Sequence, residues 1–204
     1  MPAGLGLLLG LNGNAAATLI AFGSGGFHFT FLTRRGRGAR RPVERIAAVD
    51  LSPERLAVAE RLAVAERFGA THTLDGAGTD VAAWCQEQLG GVDYAFEAIG
   101  SPKVVETLPA MLTSGGAAVL VGMAPTGATG SFDLFDLADQ GKRILGCNYG
   151  SSVGEIDIPK LARLYLAGRL PLDDLIGRTR PLRETAQAFG DLRSNTGVRT
   201  ILTP

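Results

Sequence analysis

The apolar run from Ile46 to Val49 ends on one acidic residue, Asp50. A carboxylate at the tip of a buried strand is placed to accept hydrogen bonds from the hydroxyls of an adenosine ribose, and it repels a 2′-phosphate. Asp50 therefore favours NAD over NADP wherever a nicotinamide dinucleotide is the ligand. The plain alternative is an exposed strand-end Asp that caps the next helix. For the pyrophosphate the candidate is FGSGGFHF, in which Gly23, Gly25 and Gly26 let the backbone come close to the negative charge. His28 occupies the place of the third small residue, so the glycine pattern is incomplete. Without an identifiable partner, His28 reads as a loop histidine.

These groups need a sheet to hold them. Short apolar runs alternate with segments of helical period, the pattern of a doubly wound α/β sheet with helices on both faces. Strands are predicted at Thr18 to Gly23, Ile46 to Asp50, Thr71 to Leu74, Tyr94 to Ile99, Ala117 to Gly122 and Arg143 to Tyr149. Helices fall at Pro53 to Phe68, Thr79 to Leu89, Pro102 to Leu112 and Leu134 to Gln140. Ser52-Pro53 marks a helix start, Gly69 a helix end that wants positive φ, and Ser114-Gly-Gly116 a break before a buried strand. HFTFLTRRGRGARRPVE has no 3.6-residue apolar stripe, so the first crossover helix is expected to be absent or malformed. Beyond Gly150 the alternation stops: helices are expected at Ile158 to Ala167 and Arg183 to Arg193, then a final strand in VRTILTP.

Composition narrows the function classes. The chain has 204 residues, 46% of them hydrophobic, with 20 basic residues against 20 acidic ones. That suits one large domain or two small ones and gives no overall charge to attract nucleic acid or a membrane surface. Met1 to Val43 contains no acidic residue and crowds Arg34, Arg35, Arg37, Arg40 and Arg41 together, a run read as a solvated loop. Cys85 and Cys147 show no zinc spacing and read as small buried hydrophobes in a reducing, cytoplasmic compartment. The opening apolar run lacks a basic flank and is too short to span a bilayer.

From about Ile46 onward the chain resembles the nucleotide-binding half of zinc-type alcohol dehydrogenases, in the medium-chain dehydrogenase/reductase superfamily. The resemblance rests on IAAVDLSPERLAVAERFGATHTLD (with one RLAVAE removed), VDYAFEAIGSP, GGAAVLVGMAP, RILGCNYGSS, LYLAGRLPLDDLIGRTRPL and GVRTILTP, in family order. It implies a Rossmann domain at 45–169, preceded by a divergent segment, 1–44, and followed by a tail, 170–204, that normally belongs to a GroES-like catalytic domain. It further implies NAD as cofactor, with Asp50 on the adenosine ribose, a basic partner at Arg55 or Arg61, and Ala98 and Ile99 on the adenine side. Val121 would pack on the nicotinamide, backbone groups of Met123, Cys147 and Tyr149 would hold its carboxamide, and Arg199 would reach the pyrophosphate. Arg199 also reads as a solvated edge charge, and the apolar members as core. A homodimer is implied through the strand at 143–149.

The departures from the family carry information too. Its hydride transfer uses a catalytic zinc held by Cys, His and Cys or Glu of the preceding domain, and no Cys precedes Cys85 here. No catalytic or metal-ligating residue is therefore assigned, and the chain is expected to be truncated and weakly active or inactive alone. A shifted reading frame would account for the acid-free stretch from Met1 to Val43. Arg55 to Glu60 and Arg61 to Glu66 repeat RLAVAE, where the family has room for one copy. Six extra helical residues add about 9 Å and turn the apolar stripe by about 240°. The second copy is expected to keep the core register and the first to protrude. Two alternatives remain: a non-catalytic dimerising remnant, and an S-adenosylmethionine-dependent methyltransferase, whose sheet VDLSPERL and MLTSGGAAVLVG also suit.

Overall fold

The computed structural model describes residues 5–8, 19–22, 29–35, 43–50, 62–148, 152–193 and 199–204. Leu5–Leu8 (β1) and Leu19–Phe22 (β2) pair antiparallel as a separate two-stranded ribbon. Phe29–Arg35 (β3), Val43–Asp50 (β4), His72–Asp75 (β5), Val92–Glu97 (β6), Leu112–Leu120 (β7) and Arg143–Gly146 (β8) make one six-stranded sheet. Its order is β5-β4-β3-β6-β7-β8, the spatial order of a doubly wound Rossmann-like fold. β4 and β5 run parallel, as do β6, β7 and β8.

One strand departs from expectation. The run Thr18 to Gly23, predicted as the first strand of the sheet, supplies β2 of the ribbon instead. The central slot is filled by β3, which is antiparallel to both β4 and β6. The physical reason lies in the connection. Only residues 36–42 separate β3 from β4, enough for a hairpin-type return, whereas a parallel crossover needs about a dozen residues or more. The stretch expected to form no proper helix thus supplies the strand β3.

A helix at 62–67 (α1) follows β4 and packs Val64 and Ala65 against Ala48. These are residues of the second RLAVAE copy; the first copy lies outside the described residues. α1 ends at Gly69, whose φ of 97° is the positive value expected there. On the opposite sheet face lie Val81–Trp84 (α2), which widens into a π-type turn at Cys85–Leu89, and Pro102–Met111 (α3). Asp80 rather than Thr79 starts α2, its carboxylate accepting from the Ala83 N–H at 2.9 Å. Val49, Leu74, Cys85, Leu89, Leu108 and Met111 form the core beneath these helices. The Ser114 to Gly116 signal does not end an element, because β7 already begins at Leu112; the ladder with β6 is irregular instead, shifting register between Val92 and Tyr94.

Leu134–Asp139 (α4) leads into β8, and Gly154–Leu166 (α5) opens the tail. Arg178–Pro181 (β9), Thr185–Arg193 (α6) and Thr200–Thr203 (β10) complete it. β9 was not predicted. It pairs in parallel with β10, so the tail carries its own two-stranded sheet. Arg180 clamps this unit: Nε donates to Asp191 Oδ2 at 2.8 Å and Nη1 to Glu184 Oε2 at 3.0 Å. Leu175 then seats the tail on Ala48, Val64 and Ala65, beside an Arg67–Asp174 ion pair of 3.0 Å.

Candidate nucleotide site

β4 and β6 are both antiparallel to β3, so the carboxyl ends of β4 to β8 share one edge of the sheet. Open α/β sheets bind ligands outside that edge. Six of the residues singled out in the sequence lie along it: Asp50 ends β4, Ala98 and Ile99 follow β6, Val121 and Met123 follow β7, and Cys147 follows β8. Ala98, Val121 and Cys147 share one apolar cluster with Phe96 and Val119. Met123 is 73% exposed. Gly23, Gly25, Gly26, His28, Arg55, Arg61 and Tyr149 lie outside the described residues.

Asp50 is fully buried, where the helix-cap alternative expected it exposed, and the residues it would cap lie outside those described. It already has partners, and its carbonyl accepts from the Gly76 N–H at 2.8 Å. A ribose reaching this carboxylate must exchange with the groups that now cover it. Arg199 comes to the same sheet face through the tail. Ala48 and Asp50 are two residues apart and point to one side of β4. Leu175 packs on Ala48, and the N–H of Gly177 donates to the Arg199 carbonyl at 3.0 Å. Arg199 is half-buried rather than a solvated edge charge, and burial lowers the pKa of its guanidinium.

Two features of this edge escaped the sequence reading. The first is a cavity of about 380 Å³ between α2 and α3, lined by Val49, Gly76, Thr79, Asp80, Lys103 and Val104 among others. It opens where β4 and β5 end, on the side of the sheet opposite Asp50. Its signal in the sequence is positional only: Gly76 directly follows a strand and Lys103 stands in the first turn of a helix.

The second feature is Glu97, the last residue of β6 and fully buried. Its Oε1 accepts from three successive backbone N–H groups, those of Ile99 (2.9 Å), Gly100 (2.8 Å) and Ser101 (3.2 Å). Oε2 has no partner among the described residues. Burial pushes this carboxyl above its ordinary value of 4.5, and the three N–H groups pull it down without cancelling the rise. An acid closing the apolar run YAFE was the one clue available.

Among the described residues no group of three or more His, Cys, Asp or Glu side chains converges. Among the described residues, too, no helix is long and apolar enough to cross a membrane.

Comparison with known proteins accords with this architecture. Residues 37–167 match the family described as "Zinc-binding dehydrogenase". S-(hydroxymethyl)glutathione dehydrogenase of Paracoccus denitrificans is 26% identical over 196 residues, 91% of this chain and 49% of that protein. Among solved structures, benzyl alcohol dehydrogenase from Acinetobacter calcoaceticus superposes with a TM-score of 0.72 at 34% identity, covering 79% of this chain and 43% of the other. A protein of Sinorhizobium meliloti 1021 assigned to the zinc-binding dehydrogenases, with NADP bound, has a TM-score of 0.64 at 21% identity over 80% of this chain and 46% of its own. The chain thus spans less than half the length of each of these proteins.

Proposed function

The chain belongs to the zinc-binding dehydrogenase family, and on that premise we propose that it binds a nicotinamide dinucleotide at the carboxyl edge of its sheet, as the cofactor-binding half of an alcohol dehydrogenase. The observation that carries the reading is the buried carboxylate of Asp50 at the tip of β4, on the sheet face that the Arg199 segment also reaches. Asp50 would accept from the adenosine ribose, with Ala98 and Ile99 on the adenine side of the same sheet edge. Val121, Met123 and Cys147 stand further along the same edge, where a nicotinamide would lie. Arg199 is the candidate cation for the pyrophosphate, and Gly23, Gly25, Gly26, Arg55 and Tyr149 remain assigned by resemblance. A bound dinucleotide supplies a hydride acceptor; the chain's own residues bind and orient it.

NAD is preferred over NADP, because a carboxylate that receives the ribose hydroxyls repels a 2′-phosphate. The NADP-bound relative shares the fold at 21% identity and does not bear on that preference. Alcohols or aldehydes are the proposed substrate class of the reaction this half serves. By itself the chain is expected to turn over little or no alcohol, since Cys85 and Cys147 are its two cysteines and among the described residues neither belongs to a converging ligand set.

A second reading, a chain that associates without catalysis, is favoured by one observation. β8 is one of the two outer strands of the sheet, and its Leu145 is 42% exposed. An open edge of this kind pairs readily with a second copy. The methyltransferase alternative is set aside, because the family match is to a dehydrogenase and β9 and β10 run parallel rather than as a terminal antiparallel hairpin.

Calorimetric titration with NAD and NADP, run beside sedimentation of the same sample, separates the two readings. Saturable NAD binding supports the cofactor reading. A stable dimer that binds neither nucleotide supports association alone.

A further inference from the structure

We propose that Glu97 is a positioning residue that locks the two turns of the candidate nucleotide site, residues 98–101 after β6 and residues 121–123 after β7, into a single unit. The inference rests on the nucleotide reading for its use, but its geometry stands without it. One end of the residue serves the first turn: Oε1 gathers the N–H groups of Ile99, Gly100 and Ser101 at 2.8 to 3.2 Å. The other end serves the second turn, because the Glu97 carbonyl accepts from both Val121 and Gly122 N–H at 2.8 Å. The side chain also lies between them. An ideal Cβ on Gly122 would stand 2.7 Å from Glu97 Oε2, 2.7 Å from the Ile99 nitrogen and 2.1 Å from the Gly100 nitrogen.

The contact is reciprocal. A Cβ on Gly100 would stand 2.5 Å from the Met123 carbonyl oxygen. The two backbones therefore touch, glycine to glycine, around one buried carboxyl group. Ala98 and Ile99 belong to the first turn and Val121 and Met123 to the second, so Glu97 joins the adenine-side and nicotinamide-side candidates just beyond the point where the β6–β7 ladder ends.

The test uses the full chain with E97A, E97Q and G122A. Amide exchange is measured first, without nucleotide. In E97A the amides of 99–101 and of 121–122 should accelerate together by about tenfold or more, and E97Q, which keeps an acceptor oxygen, should restore both. Acceleration confined to 99–101 overturns the proposal. Should E97A fail to fold, G122A probes the coupling from the other side and must accelerate both turns. NAD and AMP are then titrated in parallel. E97A should weaken NAD, which spans both turns, about tenfold more than AMP, which engages the adenine-side turn alone, and E97Q should recover the difference. Equal losses for NAD and AMP, the signature of general destabilisation, overturn it. If the wild-type chain binds neither nucleotide, the cofactor reading falls, and the exchange result alone decides whether Glu97 joins the turns.

Discussion

Replacing Gly122 with alanine perturbs the site at its tightest point. The added carbon would stand 2.1 Å from the Gly100 nitrogen and 2.7 Å from that of Ile99, both backbone atoms that no rotamer change can move. Ordinary contact begins at about 3.5 Å, so the two turns must part by roughly 1.4 Å. Such a shift strains the hydrogen bonds from Val121 and Gly122 to the Glu97 carbonyl, each 2.8 Å long. Overpacking of a close backbone contact costs about 1–3 kcal/mol, and two weakened hydrogen bonds add about 1 kcal/mol each. The expected loss is therefore about 3–5 kcal/mol, a large share of the roughly 5–15 kcal/mol that holds an ordinary domain folded. Gly115 provides the control. Its φ is +73°, yet a Cβ there meets nothing within 4 Å. Gly115→Ala pays only left-handed backbone strain of about 1–2 kcal/mol, offset by about 0.4–1 kcal/mol of lost freedom in the unfolded chain. Urea unfolding followed by circular dichroism compares the two. Equal midpoints for Gly122→Ala and Gly115→Ala would refute the claim that the turns are in backbone contact.

Other outcomes follow from single residues. Cys85 is fully buried and its thiol is pushed up to about 12, so iodoacetamide at pH 8 should modify half-buried Cys147 in the native chain and reach Cys85 only after unfolding; native labelling of Cys85 would show that the core is open. Asp191 has its carboxyl held below the ordinary 3.8, chiefly by Arg180 and also by Arg178. A depressed folded pKa contributes stability that is present above the unfolded value and is lost as pH falls through the folded one. Asp191→Asn should accordingly lower the thermal midpoint at neutral pH, with the gap to wild type closing as the solution is acidified below 3.8; a gap independent of pH would mean that the clamp does not depend on the charge.

The sequence carried most of the local signals. IAAVD named a buried strand with an acid at its tip, and Gly69 named a helix end, because both depend on neighbours a few residues away. β3 was illegible for the opposite reason. FTFLTRR alternates like a strand, but which slot it fills and in which direction depend on partners in β4 and β6, the latter some sixty residues downstream. β9 escaped for the same reason, since RTRP gains its strand character only by pairing with β10. Along the candidate site, strand-end residues could be placed from pattern and resemblance. Glu97 could not, because its role consists of contacts to a turn after one strand and to a second turn after the next. The lining of the cavity likewise comes from four separate segments that only the fold assembles.

The central claim is that the carboxylate of Asp50 receives the ribose of a nicotinamide dinucleotide. Asp50→Ser tests it most directly, with the affinities of NAD and NADP measured by calorimetry for the variant and the wild-type chain. The account predicts that the substitution weakens NAD by about tenfold and removes the preference for NAD over NADP, as loss of one charge-assisted hydrogen-bond acceptor and of the repulsion on a 2′-phosphate requires. Unchanged affinities for both nucleotides in the variant would contradict it.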